Sequence, residues 1–238
     1  QSLVILEKLA AEFPGDSRYL EDVAHSQRYL GFLLSNTRRF GDAERAFTSA
    51  VKIFEKLMGQ LPNVASHRQF LAGTLQSLGN VQVADGRPVD AEKSFRQAIA
   101  VDPKNAAAPN NLSWLLATGA NPKFRDGKRA VELGKKAVEL EPKQGMWWNT
   151  LGAAHYCGGN WKDSIAALEK SMELRQGGDS FDFFFLAMAH WQLGHKDEAR
   201  KWYDQAVRWM EKYKPQDEEL GRFRAEAAEL LEVQEKKN

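Results

Sequence analysis

The stretch Trp147-Trp148-Asn149-Thr150-Leu151-Gly152, running on to Leu174, carries two helical patterns split by Gly158-Gly159-Asn160. In the first pattern Trp148, Leu151, Gly152 and His155 fall at i, i+3, i+4 and i+7, one face of a helix. In the second, Trp161, Ile165, Leu168 and Met172 recur at steps of three or four, with Ser164 and Ser171 beside them. A helix, a glycine turn and a second helix make an antiparallel hairpin. Its apolar stripe still needs a neighbour to bury it.

The chain supplies that neighbour by repeating itself. The anchors are Ala43-Phe47-Ala50, Ala91-Phe95-Ala98, Ala130-Gly134-Ala137, Ser164-Leu168-Ser171 and Ala199-Tyr203-Ala206, spaced four then three in every set. Successive first anchors lie 48, 39, 34 and 35 residues apart. Small–large–small at this spacing puts Ala or Ser where two backbones approach and a bulky group in the gap. Another small residue stands 12 positions upstream in four sets: Gly31, Gly79, Gly152 and Ala187. In the third set Ser113 takes that part, five residues further off because of an inserted loop. A repeat in the thirties with this pattern predicts a stack of helical hairpins.

These residues resemble the tetratricopeptide (TPR) motif, Trp-x2-Leu-Gly-x2-Tyr followed by Ala, Phe, Ala and Pro. The fourth unit carries Trp148, Leu151 and Gly152, with His155 in the Tyr place; the second carries Leu78, Gly79, Ala91, Phe95, Ala98 and Pro103. The third closes with Ala130, Ala137 and Pro142 but has Gly134 where a large residue is usual. The resemblance covers roughly residues 16–213. It implies an all-α fold, a right-handed α-solenoid of antiparallel helix hairpins with a C-terminal capping helix. The expected division is one solenoid over residues 1–238, with repeats at 16–61, 63–103, 105–142, 145–177 and 178–213 and a cap at 215–235. Residues 1–14 read as the second helix of a truncated repeat, because Phe13-Pro14 and Leu61-Pro62 are also 48 apart. The chain is therefore expected to be a piece of a longer protein. Its long units with a Leu/Phe-Pro turn resemble TPR arrays that follow Ser/Thr protein-kinase domains in large multidomain bacterial proteins. No kinase motif stands in this sequence.

Composition narrows the function. With 33 basic and 32 acidic residues the net charge is +1, so no global field favours nucleic acid or anionic lipid. The single cysteine, Cys157, excludes an internal disulfide framework and a cysteine-based zinc site. No apolar run reaches the ~18 residues of a membrane span. With no secretory signal in view, a cytoplasmic location is the expectation. His155 and His190 hold equivalent places in neighbouring units and invite a metal or catalytic reading, against which packed interface histidines are the ordinary alternative. No nucleophile elbow, HExxH helix or phosphate loop is present. The expectation is no catalysis, no metal and no cofactor. The long turn Thr118 to Gly127 is either functional or an insertion packed down by Phe124.

Resemblance to TPR proteins implies that the first helix of each hairpin lines an inner groove. The residues this selects for a protein or peptide ligand are Arg28, Gln76, Asn80, Asn110, Trp114, Asn149, Tyr156, Phe184, Met188 and Trp191. Amides suit both N–H and C=O of an extended backbone, and aromatics bring large contact area at low entropy cost. A clamp for a C-terminal carboxylate is disfavoured, because Gln76, Met146 and Thr150 stand where that subtype has cations. The alternative to peptide binding is self-association through the apolar first helix, Leu3, Ile5, Leu6 and Leu9.

Overall fold

The computed structural model describes residues 2–233; positions 234 and 235 of the expected cap lie outside the described residues. Among the described residues there are only helices: α1 (Ser2–Glu12), α2 (Ser17–Asn36), α3 (Phe40–Gln60), α4 (Ala65–Ala84), α5 (Pro88–Val101), α6 (Ala107–Thr118), α7 (Gly127–Leu140), α8 (Gly145–Cys157), α9 (Trp161–Arg175), α10 (Ser180–Gln192), α11 (Lys196–Tyr213) and α12 (Glu218–Leu230), with a 3-10 turn at Pro122–Phe124. The all-α class and the hairpin array are as the repeats predict. Contacts divide the chain into two compact units, one ending at Leu112 and the other beginning at Ser113, so the division falls inside α6.

The first unit stacks α1 and the hairpins α2/α3 and α4/α5, and Ala108 at the start of α6 joins their apolar cluster. Its hairpins close by the interlock read from the sequence. A methyl placed on Gly31 would stand 2.8 Å from the Phe47 ring, and one on Gly79 would stand 2.5 Å from Phe95. Glycine is thus needed for room. One apolar cluster joins Phe54, Leu57, Leu71, Leu75, Ala98 and Ala108; a second joins Ala43, Phe47, Leu78 and Val81. Pro88 opens α5, where its missing N–H leaves no helical bond unmade. Gly41 lies in the first turn of α3 and does not make the turn that precedes it. Arg38, at φ 58°, makes the reversal, and Arg39 N–H bonds back to Leu34 O at 2.9 Å.

The second unit contains α7 to α12 and the rest of α6. Hydroxyls fasten its hairpins: Ser113 donates to Ala130 O at 2.7 Å, Ser164 to Gly152 O at 2.8 Å and Ser180 to Ala206 O at 2.7 Å. The irregular Gly134 is explained by close approach, since a methyl there would meet Ser113 Oγ at 3.1 Å and Leu151 at 3.2 Å. Leu151 of the next helix fills the space that a large residue fills elsewhere. The anchors Ala130, Ala137, Ser164, Leu168, Ser171, Ala199 and Ala206 are fully buried. Asp179 caps α10 and exchanges bonds with Asp182 in a capping box. Finally α12 packs on both α10 and α11.

Candidate functional site

In the first unit α2 and α4 lie side by side and present one face. Arg28 is half-buried there, its guanidinium 5.5 Å from both the Phe32 and Phe70 rings. Its Nε is buried without a hydrogen-bond partner. Behind it His25 meets Phe70 edge-on at 4.5 Å, and burial among these rings lowers the imidazole's pKa. Further along, Gln76 is half-buried and Asn80 is exposed. Asn111 Nδ2 donates to Asn80 Oδ1 at 2.9 Å, and Asn110 Nδ2 donates to Asn111 Oδ1 at 3.3 Å. Asn110 itself is buried and its Oδ1 has no partner. Phe32 and Val83 are exposed on the same helices, at 37% and 42%. The face therefore combines a cation, a short ladder of amides and apolar area.

The second unit treats its predicted residues differently. Asn149 is buried and donates to Asp182 Oδ1 at 2.8 Å. Asp182 also accepts from Ser171 Oγ at 2.9 Å and from the Arg175 guanidinium. Burial pushes the Asp182 carboxyl upward, and Arg175 offsets part of that push. This buried polar network ties α8, α9 and α10 together. Phe184, whose ring lies 6.1 Å from Tyr203, and Met188 are fully buried and present no side-chain surface. Trp114 is half-buried among Phe181, Phe185 and Phe223, and its Nε1 donates to Glu219 at 3.1 Å. The last two of those residues show that α12 covers this face rather than only ending the stack. Trp191 is half-buried, with Lys196 Nζ 4.9 Å from its ring. Tyr156, also half-buried, has its ring 5.7 Å from Phe185 and lines a cavity.

That cavity, about 380 Å³, was not read from the sequence as a site. It lies among α6, α8, the start of α9, α10, α12 and the turns after α6 and α8. Arg125 from the first of these turns donates to Glu226 at 3.0 and 2.6 Å and to Gly119 O at 2.8 Å. The unusual length of the 118–127 segment was the available signal. Its backbone is held down where Gly127 meets the α8 end, a methyl at Gly127 falling 2.5 Å from Gly158 N. The histidines resolve simply. His190 meets His195, Nδ1 to Nδ1 at 3.3 Å, and His155 is buried with an unpartnered Nδ1. Among the described residues no group of three or more His, Cys, Asp or Glu is placed to hold a metal.

Hairpins interlocked by small and large residues, carrying exposed amides and rings, define a helical-repeat recognition array. Residues 77–125 and 183–213 each match the tetratricopeptide repeat family. Those two segments carry tetratricopeptide repeats. Similar solved structures include BtubC (BKLC) from P. vanneervenii, at 20% identity over 90% of each chain with a TM-score of 0.66. The thermophilic TPR protein TTC0263 in Thermus thermophilus is 18% identical, covering 88% of this chain and 100% of that one with a TM-score of 0.54. Pseudomonas aeruginosa PilF is 16% identical over 90% and 95%, with a TM-score of 0.60. At such identities the likeness speaks for the fold. Among curated proteins no significant match is found. Fold and family together support a protein–protein interaction scaffold, a class of module that is generally non-catalytic. Among the described residues no helix is long and apolar enough to cross a membrane.

Proposed function

We propose that this chain binds an extended or helical segment of a partner protein along the face made by α2 and α4. The observation that carries the reading is the partly exposed run from Arg28 through Gln76 and Asn80 to Asn111, flanked by Phe32 and Val83. Amides there meet a backbone of either polarity, and the rings supply area. In the second unit Tyr156 and Trp191 are half-buried, while Asn149, Phe184 and Met188 are buried among its helices. Substituting Arg28→Ala or Asn80→Ala should each weaken an isolated partner by about 1 kcal/mol or more, with the urea midpoint little changed. Full affinity in both variants rejects this face.

Self-association is the second reading, favoured by Val4 and Ile5 of α1 at 55% and 57% exposure and Tyr29 and Leu33 of α2 at 65% and 66%. Light scattering across a concentration series tests it. Mass should rise with concentration, and Ile5→Glu should abolish the rise; a strict monomer throughout removes the idea.

A further inference from the structure

His190 and His155 hold equivalent places in the repeats, yet the ring that His190 meets is that of His195. His190 stands half-buried in the last turn of α10, and His195 is exposed at the N-cap of α11. The backbone between them is a closed turn. Gly194 takes φ 80°, its N–H bonds to Trp191 O at 2.9 Å, and His195 N–H bonds to His190 O at 2.9 Å. This turn brings the two Nδ1 atoms to 3.3 Å, with the ring centroids 5.6 Å apart.

That separation has a chemical meaning. Two nitrogens bound at about 2.05 Å to one tetrahedral ion stand about 3.3 Å apart. Without an ion, the same spacing serves a hydrogen bond from one Nδ1–H to the other Nδ1. Passing between the two states needs a tautomer change: the donor ring moves its proton to Nε2, and both Nδ1 lone pairs become free while the nitrogens keep their spacing. The surrounding charge suits a cation. Burial lowers the His190 pKa and His195 adds to that, while the Glu198 and Glu169 carboxylates oppose it from α11 and α9. Glu198, one turn beyond His195, is held ionised by its bond from Lys201 at 2.6 Å, the two imidazoles adding to that. Lys196, the cation of the turn, is placed over the Trp191 ring at 4.9 Å. Neutral imidazole is a ligand for zinc, nickel and copper, whereas magnesium and calcium take oxygen. Among the described residues no group of three or more His, Cys, Asp or Glu closes a shell, so water takes the other positions on an ion. A carboxylate such as that of Glu198 can accept from such water.

We propose that His190 and His195 form an open chelate for one divalent transition-metal ion of the zinc class, which ties the end of α10 to the start of α11. Both residues belong to the second unit, so the site stands apart from the α2–α4 face. Two protein ligands completed by water make it a reversible site, unlike the closed four-ligand kind that holds a fold together.

The test titrates the full chain with zinc chloride, with magnesium chloride as the control. One zinc ion per chain should bind saturably and shift the NMR signals of both the His190 and His195 imidazoles. Magnesium at the same concentrations should move neither. His195→Ala, at an exposed position, should weaken zinc binding by at least about tenfold. Cys157→Ser should leave zinc binding unchanged, since the only thiol of the chain takes no part. Zinc shifts that are absent or confined to one imidazole overturn the proposal, as does an equal response to magnesium. Both outcomes are read on the unaltered protein, so neither depends on a variant folding. Undiminished affinity in His195→Ala, or lost affinity in Cys157→Ser, overturns it as well.

Discussion

Gly73 and Gly79 lie on one helix and answer to opposite demands. At Gly79 a methyl would stand 2.5 Å from the Phe95 ring, whereas at Gly73 nothing lies within 4 Å. Gly79→Ala should therefore overpack the hairpin and cost about 1–3 kcal/mol. Gly73→Ala should stabilise by roughly 0.5–1 kcal/mol, because only the helix propensity changes. Urea midpoints of the two variants, moving in opposite directions, check both. His155 supplies a pH term of known sign. Burial lowers its pKa below the 6.5 of a free imidazole, Lys135 adding to that effect and Asp163 opposing it. Between the lowered value and 6.5 the unfolded chain binds more protons, so stability rises with pH in that window. The contribution is present above pH 6.5 and lost as pH falls through the folded value. Thermal melts of His155→Gln should show a smaller drop between pH 7.5 and 5.5 than the unaltered protein. At this scale the sequence was most informative for packing: Gly31, Gly79 and Gly152 could be matched to Phe47, Phe95 and Leu168 from spacing alone. It was least informative for Asn149 and Phe184, whose helical positions matched an inner face. What lies opposite each of them, Asp182 for one and Tyr203 for the other, is a tertiary fact.

Helices and turns were legible wherever a period of three or four met a glycine or proline. In the turn after α2 Gly41 looks like punctuation, yet the reversal is made by Arg38 in a left-handed conformation. Nothing in the residue type announces that choice. The segment of α12 read as a cap, and its Leu220 and Phe223 are buried. Its burial against Trp114, Phe181 and Phe185 was not readable, since periodicity gives a helix its apolar side without naming the surface that side meets. The 118–127 segment stood out by length. What it does depends on one guanidinium and one carboxylate a hundred residues apart in the chain, Arg125 and Glu226, and no local pattern links them.

For the molecule as a whole, a helical array draws its stability from each hairpin and from the contact with the next. Opening should then begin where a helix has least behind it. α1 rests on α2, with Val4 and Ile5 exposed, so its amides should exchange with solvent faster than those of α4 or α10. Hydrogen-exchange mass spectrometry on peptides from these three helices checks the order; equal protection of α1 and α4 contradicts it.

The hairpins are not interchangeable. α2 and α3 run 20 and 21 residues, α4 and α5 run 20 and 14, α8 and α9 run 13 and 15, and α10 and α11 run 13 and 18. Repeat chains are prone to wrong assembly, because one module can mistake a stranger for its neighbour while the chain is still collapsing. Unequal arms spoil such mistakes: a helix docked one module out of place leaves a bulky ring without its notch and an overhang of apolar side chains in water. Irregularity of length thus works as an address, steering each arm to its own mate during folding.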